Sequence, residues 1–381
     1  MRLRQPPAVM PPQPESTAET PEKFRPSWRA QLAGTVLVAA VYVYFLIFAQ
    51  FGFLRALTTA LGEGHAWFQA ILLAMAAAGI GGGFAAARFF SAGNGRGLVR
   101  AGLVVAAAAA GLTWVAATPA VFLVAALATG AGTGLTTVAL AGVLRAELGE
   151  ARLGVSIGLA TGAAYALCNL PAFFRGELHT QLLLAFAAAG TGLAAVQGLE
   201  QRAPREAGDG PEYSPLGRWR WIAIFLVLIL TDSAVFYVVQ QTPALKQATW
   251  GPDAQLWLNA GAHLAGGVLA GLALHRRHLA GTVLVSALLL AAAGMCFGSG
   301  VANSALAVQY SLAVSGYCAV LVYYPARRAQ PGLAAWLYGI AGWLGSGLGL
   351  GLAEGLQRIP PWLPLAAGGL VAALLAVRPR R

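Results

Sequence analysis

Charged residues are scarce along this chain, and most of them lie in short segments between long apolar runs. Only 10% of the 381 residues are Asp, Glu, Lys or Arg, whereas 58% are hydrophobic. A soluble domain carries roughly 25% charged residues, so too few polar side chains are present to cover a water-soluble surface of this size. The composition therefore excludes a soluble globular protein and predicts a membrane protein.

Cysteine is equally scarce, and its placement suggests neither a disulfide framework nor a metal site. The three cysteines, Cys168, Cys296 and Cys318, all fall inside apolar segments, at no metal-ligand spacing. We expect buried thiols that behave as small hydrophobic side chains. The phosphate-binding motif G-x-x-x-x-G-K-[ST] is missing, as is any Ser/His/Asp set. The sequence thus favours neither an ATP-driven pump nor an enzyme, and it indicates no cofactor and no bound metal.

Long apolar runs divide the chain into segments of membrane-spanning length. A helix needs roughly 20 apolar residues to cross the hydrocarbon core of a bilayer. Counted this way, the sequence predicts an all-α polytopic membrane protein of about twelve transmembrane helices. The predicted spans are 31–53, 66–89, 99–117, 119–143, 153–174, 180–198, 219–241, 255–274, 279–299, 302–324, 332–353 and 361–378.

A single long polar segment near the midpoint separates six predicted spans from six more. We therefore predict an N-terminal six-helix half (29–198), a cytoplasmic linker (199–218) and a C-terminal half (219–381). Residues 1–28, rich in Pro, Glu and Arg, are expected to form a disordered cytoplasmic tail. They do not resemble a signal peptide, because no apolar core follows their charges directly.

The distribution of basic residues predicts the orientation in the membrane. With the N-terminus placed in the cytoplasm, 21 of the 25 Lys and Arg residues fall on the cytoplasmic side. This asymmetry is the usual topology signal, and it places both termini inside a cell (inner or plasma) membrane. The net charge of +11 is scattered in ones and twos, without a basic stripe that would indicate nucleic acid.

Two similar loops suggest an internal repeat. The loop after the second span begins Gly83-Phe84-Ala85-Ala86-Ala87-Arg88, and the loop after the eighth, 188 residues later, begins Gly271-Leu272-Ala273-Leu274-His275-Arg276. Each has a glycine, which permits close helix packing, and an arginine five residues later, near a helix C-terminus. We expect Gly83, Arg88, Gly271 and Arg276 to form conformational loops.

This arrangement resembles the major facilitator superfamily, whose signature after the second helix is close to G-x-x-x-D-R-x-G-R-R. Ala87 and His275 replace its acidic residue here. The resemblance implies a secondary transporter, symporter or antiporter, that works by alternating access. It also implies that helices one, four, seven and ten line a central cavity most directly. Helices two, five, eight and eleven would also contact it, and three, six, nine and twelve would be peripheral. The alternative is a non-transporting relative that acts in assembly or sensing.

Glycines recur at four-residue intervals in two predicted helices that the resemblance makes equivalent. The fifth carries Gly154, Gly158 and Gly162, and the eleventh carries Gly347, Gly351 and Gly355. Such ridges permit tight helix crossing, so we expect close packing or a hinge at both.

Ionisable residues are nearly absent inside the spans, so each exception is a candidate for function. Asp232 in the seventh span is the one carboxylate near mid-membrane, and His263 in the eighth is the one histidine within a span. A charge at such depth costs at least ~2.5–3.5 kcal/mol on insertion scales. Estimated depths are similar for the two, so we predict that they meet and couple transport to a proton or another ion. The competing interpretation is a neutral structural hydrogen bond.

Polar side chains in the cavity helices suggest a small-molecule site. With no buried Lys or Arg, a neutral, weakly cationic or amphipathic solute fits better than a multivalent anion. The expected partners are the bilayer, this solute and protons, and the expected state is a monomer. Charges around Arg145, Glu147, Glu150 and Arg152 suggest a solvated turn. The predicted cavity residues are Tyr42, Tyr44, Asn169, Thr231, Ser233, Tyr237, Gln240, Asn259, Gln309, Tyr310 and Tyr317.

Overall fold

A computed structural model describes residues 26–91, 93–200 and 216–377, and it contains helices without strands in those ranges. Eleven helices are long and apolar enough to cross a membrane, and a twelfth, of 15 residues, is shorter. The helices are α1 (Trp28–Leu61), α2 (Phe68–Phe89), α3 (Gly95–Trp114), α4 (Pro119–Leu148), α5 (Glu150–Cys168), α6 (Leu178–Gln197), α7 (Arg218–Gln241), α8 (Asp253–His275), α9 (Leu279–Gly298), α10 (Ser304–Arg328), α11 (Pro331–Leu356) and α12 (Trp362–Ala376).

The predicted fold class is confirmed, with six of these twelve helices on each side of the central segment. The tail 1–28 and the linker 199–218 lie mostly outside the described residues. Successive helices run in opposite directions, which gives the molecule two faces. We call the face with the start of α1 and the end of α6 the linker side, and the opposite face the far side. The linker side is the one predicted to be cytoplasmic.

Proline sets two helix boundaries, of which the apolar runs misplaced the first and predicted the second. The fifth span was predicted to reach residue 174, but α5 ends at Cys168, because the residue before a proline is disfavoured in helical geometry. Leu170 is extended, and Pro171 then begins a short separate helix, Pro171–Phe174. Thr242 is likewise extended after α7, and Pro243 starts a second short helix, Pro243–Trp250. Both short helices lie on the far side.

Helices α1 and α11 each contain an eight-residue π-helical segment, Phe45–Gly52 and Leu337–Leu344. A π segment has wider turns than an α-helix and turns the side chains that follow to a new direction. The glycines of α11 that pack closely lie in a different register: a Cβ added to Gly349 would lie 2.3 Å from the carbonyl oxygen of Leu230. Gly347, Gly351 and Gly355 have no atom within 4 Å of an added Cβ. The prediction of a close crossing there is wrong.

The equivalent prediction for α5 is confirmed, because its glycines form a close contact with α8 between the two halves. A Cβ added to Gly158 would lie 2.3 Å from the carbonyl oxygen of Gly267, and one added to Gly267 would lie 2.4 Å from that of Gly158. Gly162 faces the backbone of His263 and Leu264 in the same way. Backbone therefore packs directly on backbone along this crossing.

The two repeated loops differ in what their glycines contact. An added Cβ at Gly271 would lie 2.8 Å from the carbonyl oxygen of Gly154, across the boundary between the halves. At Gly83 the nearest atom is a methyl carbon of Val138 at 3.2 Å, within the same half. Arg88 and Arg276 are both exposed. The two loops are thus similar in sequence, but their glycines contact different parts of the molecule.

The predicted solvated turn is wrong for one of its residues. Glu147 is 3% exposed, accepts a hydrogen bond from the backbone N–H of Glu200, and forms a 2.9 Å ion pair with Arg96 of α3. α4 is a 30-residue helix that extends five residues past the predicted end at 143, which brings Glu147 into the packed interior. A buried carboxylate at this position holds the ends of α3, α4 and α6 together.

Contacts between the halves occur on both faces. On the linker side, Glu150 of α5 pairs with Arg327 of α10 at 3.1 Å. On the far side, Arg175 pairs with Asp253 at 2.5 Å and also donates to the carbonyl oxygen of Gly251. The rings of Phe51 and Phe236 meet there, 5.7 Å apart. The middle of the molecule therefore lies between two layers of contact.

Candidate functional site

Asp232 occupies the middle of α7, where two tyrosines of α10 bind its carboxylate. It lies fourteen residues after Arg218, which places it about 20 Å along the helix. The Tyr310 hydroxyl donates to Oδ1 at 2.6 Å, and the Tyr317 hydroxyl donates to Oδ2 at 2.5 Å. Because these tyrosines are seven residues apart, they lie on one face of α10, two turns from each other. Each carboxylate oxygen thus has one neutral donor.

His263 is bound to a different part of α10. It is 5% exposed, and its Nδ1 lies 2.8 Å from the hydroxyl oxygen of Ser315. Its ring stacks on that of Tyr165 of α5, with centroids 4.9 Å apart and planes 14° from parallel. The Tyr165 hydroxyl in turn lies 3.2 Å from the sulfur of Cys318. α5, α8 and α10 are therefore joined by one chain of contacts.

The prediction that Asp232 and His263 meet is wrong. In the described ranges neither a hydrogen bond nor an ion pair joins them, and each is bound instead to α10. The sequence placed Asp232 and His263 at similar depths by counting residues along each helix. A depth estimate does not say which neighbouring helices a side chain faces. His263 lies on α8, which packs against α5 and α10.

Aromatic side chains from both halves surround this region. The ring of Tyr42 of α1 lies 6.2 Å from that of Tyr165, and Tyr338 of α11 is within electrostatic range of Tyr42. Tyr42, Tyr165, Asp232 and Tyr338 are half-buried although they lie among helices of both halves. This partial accessibility indicates that they border an internal space. The name central cluster is used below for Tyr42, Tyr165, Asp232, His263, Tyr310 and Tyr317.

Four residues predicted to line the cavity are bound into the scaffold instead. The Tyr44 hydroxyl donates to the carbonyl oxygen of Ala106, and Gln309 donates to that of Leu289. Thr231 bonds back to Val227 in its own helix and borders a crevice toward α9 and α12. The fourth, Asn259, is described below with its two partners. In an apolar medium a polar side chain gains most by bonding the nearest carbonyl, which a sequence does not identify.

Asn259 is fully buried and holds the short helix Pro243–Trp250 against α8. Its Oδ1 accepts a hydrogen bond from Gln255, and its Nδ2 donates to the carbonyl oxygen of Thr249, both at 2.8 Å. Asn169 donates to the Tyr165 carbonyl oxygen, while its buried Oδ1 has no partner. Asn259 is therefore structural, whereas Asn169 keeps a free acceptor at the end of α5.

The other predicted residues lie along α7. Ser233 is hydrogen-bonded to Ser346 of α11 at 3.0 Å, which joins two helices of the same half. Tyr237 and Gln240 are half-buried and continue from Asp232 toward the far side. Two carboxylates of the far side, Glu63 and Glu354, lie within electrostatic range of Tyr237. Polar side chains of α7 thus continue from Asp232 toward the far side.

Sequence reasoning missed three residues of the site, Tyr165, Ser315 and Cys318. A signal existed for Tyr165, because it precedes the predicted Asn169 by four residues and so shares its helix face. Cys318 was expected to be a buried thiol, and it is buried and free. Only the structure shows that its sulfur contacts the Tyr165 hydroxyl.

Solved structures that this chain resembles include three transporters. The human organic anion transporter MFSD10 (TETRAN) superposes with a TM-score of 0.63 at 15% identity, over 91% of this chain and 98% of that one. The proton:xylose symporter XylE gives 0.61 at 14% identity, over 91% and 94%. The Escherichia coli fucose:proton symporter FucP gives 0.57 at 14% identity, over 93% and 100%.

Sequence comparison finds no match to a protein-family model or to a curated protein. At the identities above, the structural likeness establishes the fold and not the activity. Helix number, the division into two halves and the near-complete superposition agree with one another. The chain is a multi-pass membrane protein with the fold of the major facilitator superfamily.

Proposed function

We propose that this protein is a secondary active transporter, which moves a small solute across the membrane by alternating access. The observation that carries the proposal is the position of Asp232. Its carboxylate lies at mid-depth, is bound by α10 of its own half, and is within electrostatic range of Tyr165 of the other half. Asp232 is also half-buried rather than fully buried. A transporter of this architecture binds its cargo near the bilayer midplane, between its two halves.

Asp232 is further proposed as the residue that couples transport to a proton. A charge at this depth costs at least ~2.5–3.5 kcal/mol, and such a residue persists in a membrane protein when it has a partner or a function. Its partners are two neutral hydroxyl groups, and Tyr165 and Cys318 lie within electrostatic range. His263 is bound to Ser315 rather than to Asp232. The carboxylate is therefore left to a proton or to the cargo for neutralisation.

Alternating access requires contacts that open on one face while they close on the other. Glu150–Arg327 joins the halves on the linker side, and Arg175–Asp253 joins them on the far side. Both pairs are partly exposed to solvent, where ion pairs contribute about 0–1 kcal/mol. Weak contacts of this kind break and re-form at little cost, as a moving gate requires.

The structural neighbours are consistent with this proposal. Two of them are proton symporters of sugars and one is an organic anion transporter. These descriptions support solute transport and a role for protons. The choice of cargo depends on this chain's own central residues.

The test is solute uptake into proteoliposomes that contain the full-length protein, with and without an inward proton gradient. A panel of radiolabelled amines, sugars and carboxylates supplies the cargo. We expect at least one solute to accumulate above its external concentration only when the gradient is present. Asp232→Asn should abolish that accumulation, while Tyr44→Phe, which removes a hydroxyl of the scaffold, should retain it.

The alternative of a non-transporting relative in assembly or sensing is supported by one feature. Ala87 and His275 occupy the acidic position of the signature loops. If no solute of the panel enters the vesicles and no ligand stabilises the protein, this second function is the better description.

A further inference from the structure

We infer that the central cluster binds an organic cation, a small ammonium compound with apolar groups, with Asp232 as its counter-ion. The inference rests on the proposed function and specifies the class of its cargo. Three observations carry it: the sign of the central charge, the aromatic rings around it, and the orientation of the neighbouring amides.

The centre has a negative charge without a compensating positive one. Every Lys and Arg in the described ranges lies near a helix end, in a loop or in the short helix Pro243–Trp250. His263, the histidine of the central cluster, is stacked on Tyr165 and hydrogen-bonded to Ser315. Asp232 itself is bound only by hydroxyl groups. An anionic solute would meet repulsion here, whereas an ammonium group would supply the missing positive charge.

The rings of the central cluster supply a second attraction for a cation. Tyr42, Tyr165, Tyr310 and Tyr317 lie around Asp232 and His263 on three helices from both halves. Aromatic faces attract ammonium groups through the ring quadrupole, and the effect is largest where water is excluded. A carboxylate within a group of aromatic rings is thus suited to a cation with apolar substituents.

The amide side chains near the centre argue against a sugar. A polyhydroxylated solute needs several hydrogen-bonding groups, and amides commonly serve this purpose. Both amide atoms of Asn259 and the Nδ2 and Nε2 groups of Asn169 and Gln309 are bound within the protein. What remains near the centre is one carboxylate, phenol groups, apolar surface and, at the end of α5, the Oδ1 acceptor of Asn169, which could accept from an ammonium group.

Two carboxylates lie near the far-side end of the α7 face that carries Asp232. Glu63, in the connection after α1, and Glu354, near the end of α11, both lie within electrostatic range of Tyr237. Tyr237 follows Asp232 by five residues on α7 and is half-buried. A cation entering from the far side would pass these carboxylates before it reached Asp232.

The test measures thermal stabilisation of the purified full-length protein by probes of one shape and different charge. Benzylamine, benzyl alcohol and benzoate share a ring and differ in charge, and D-xylose serves as a polyol. We expect benzylamine to raise the melting temperature in a saturable manner, with at least tenfold tighter binding than the other three. Equal or stronger stabilisation by benzoate, benzyl alcohol or xylose would overturn the inference. This comparison uses only the unmodified protein.

Variants then locate the site. Asp232→Asn should weaken benzylamine binding at least tenfold, whereas Glu177→Gln, which removes a carboxylate from an exposed far-side position, should leave it unchanged. Tyr42→Leu, which removes a ring, should weaken binding, and Tyr42→Phe should restore it. Unchanged binding in both Asp232→Asn and Tyr42→Leu would place the amine elsewhere and refute the assignment.

The same probes separate this inference from the proposed function. Benzylamine binding at Asp232 without uptake into proteoliposomes would support the cation site and contradict transport. Proton-driven uptake of a sugar or carboxylate, with no amine binding, would support transport and contradict the cation site.

Discussion

Tyr317 donates its hydroxyl to Oδ2 of Asp232 at 2.5 Å, across the contact between α10 and α7. Two turns away, Tyr310 does the same for Oδ1. α10 therefore positions the one carboxylate at mid-depth through two neutral groups of one helix face. These two hydrogen bonds join Asp232 to α10.

The first prediction concerns these hydroxyls. Tyr317→Phe and Tyr310→Phe should each lower the free energy of unfolding by about 1–3 kcal/mol, because each removes a hydrogen bond to a charged group. Both should also change the pH dependence of uptake, because Asp232 loses a donor. Tyr44→Phe removes a hydroxyl bound to a backbone carbonyl and should lower stability alone. An identical pH profile in all four proteins would show that the tyrosines do not act on the coupling residue.

The second prediction concerns the crossing of α5 and α8. Gly158→Ala and Gly267→Ala each place a Cβ about 2.3–2.4 Å from a backbone oxygen of the other helix, which no side-chain movement relieves. Overpacking usually costs about 1–3 kcal/mol, and more where backbone must move. Thermal unfolding in detergent should show a lower melting temperature for both variants. Gly351→Ala on α11, where the Cβ meets open space, is the matched control and should melt like the unmodified protein.

The third prediction concerns Glu147. Glu147→Gln should destabilise the protein by about 1–3 kcal/mol, because it removes the charge from a buried acceptor of hydrogen bonds. Glu150→Gln, at a carboxylate 48% exposed, should cost less than about 1 kcal/mol. Equal losses in the two variants would contradict the assignment of Glu147 as the structural member of this turn. Thermal unfolding followed by tryptophan fluorescence measures the stability of both variants.

The fourth prediction tests alternating access through its gates. Replacing Arg175 and Asp253 with cysteine on the far side, or Glu150 and Arg327 on the linker side, gives two pairs for a short bis(methanethiosulfonate) reagent, which joins the two thiols through reducible disulfides. The three native cysteines are first replaced with alanine. We expect each cross-link to stop solute uptake and its reductive cleavage to restore it. Full uptake with either pair cross-linked would mean that the halves do not rock.

The sequence predicted the membrane class, the helix number and the two halves because each follows from hydropathy and length. A span of about 20 apolar residues is a local property that no tertiary contact needs to establish. The identity of Asp232 as an exceptional residue was equally local, since a carboxylate in an apolar run is visible without a structure. The tyrosines of α10 were named for the same reason.

Lateral relations could not be predicted in this way. Asp232 and His263 have similar estimated depths but separate partners on α10, and Tyr44 and Gln309 bond backbone carbonyls of other helices. Such choices depend on helix rotation, which the π segments of α1 and α11 alter. Burial of Glu147 depended on the length of α4, whose final turns are too polar to be recognised as a span.

The contact between Gly158 and Gly267 also bears on how easily the halves move. Side chains that interlock must change rotamers before two helices can shift, whereas bare backbone has no rotamers to change. On the opposite flank, Gly79 of α2 receives the indole of Trp343 of α11, where an added Cβ would lie 2.2 Å from a ring carbon. The α5–α8 contact is thus backbone against backbone, whereas the α2–α11 contact has an indole ring inserted beside a glycine. If the two halves tilted, α5 and α8 could shift along each other. The Trp343 ring would meanwhile keep α11 at the same position on α2.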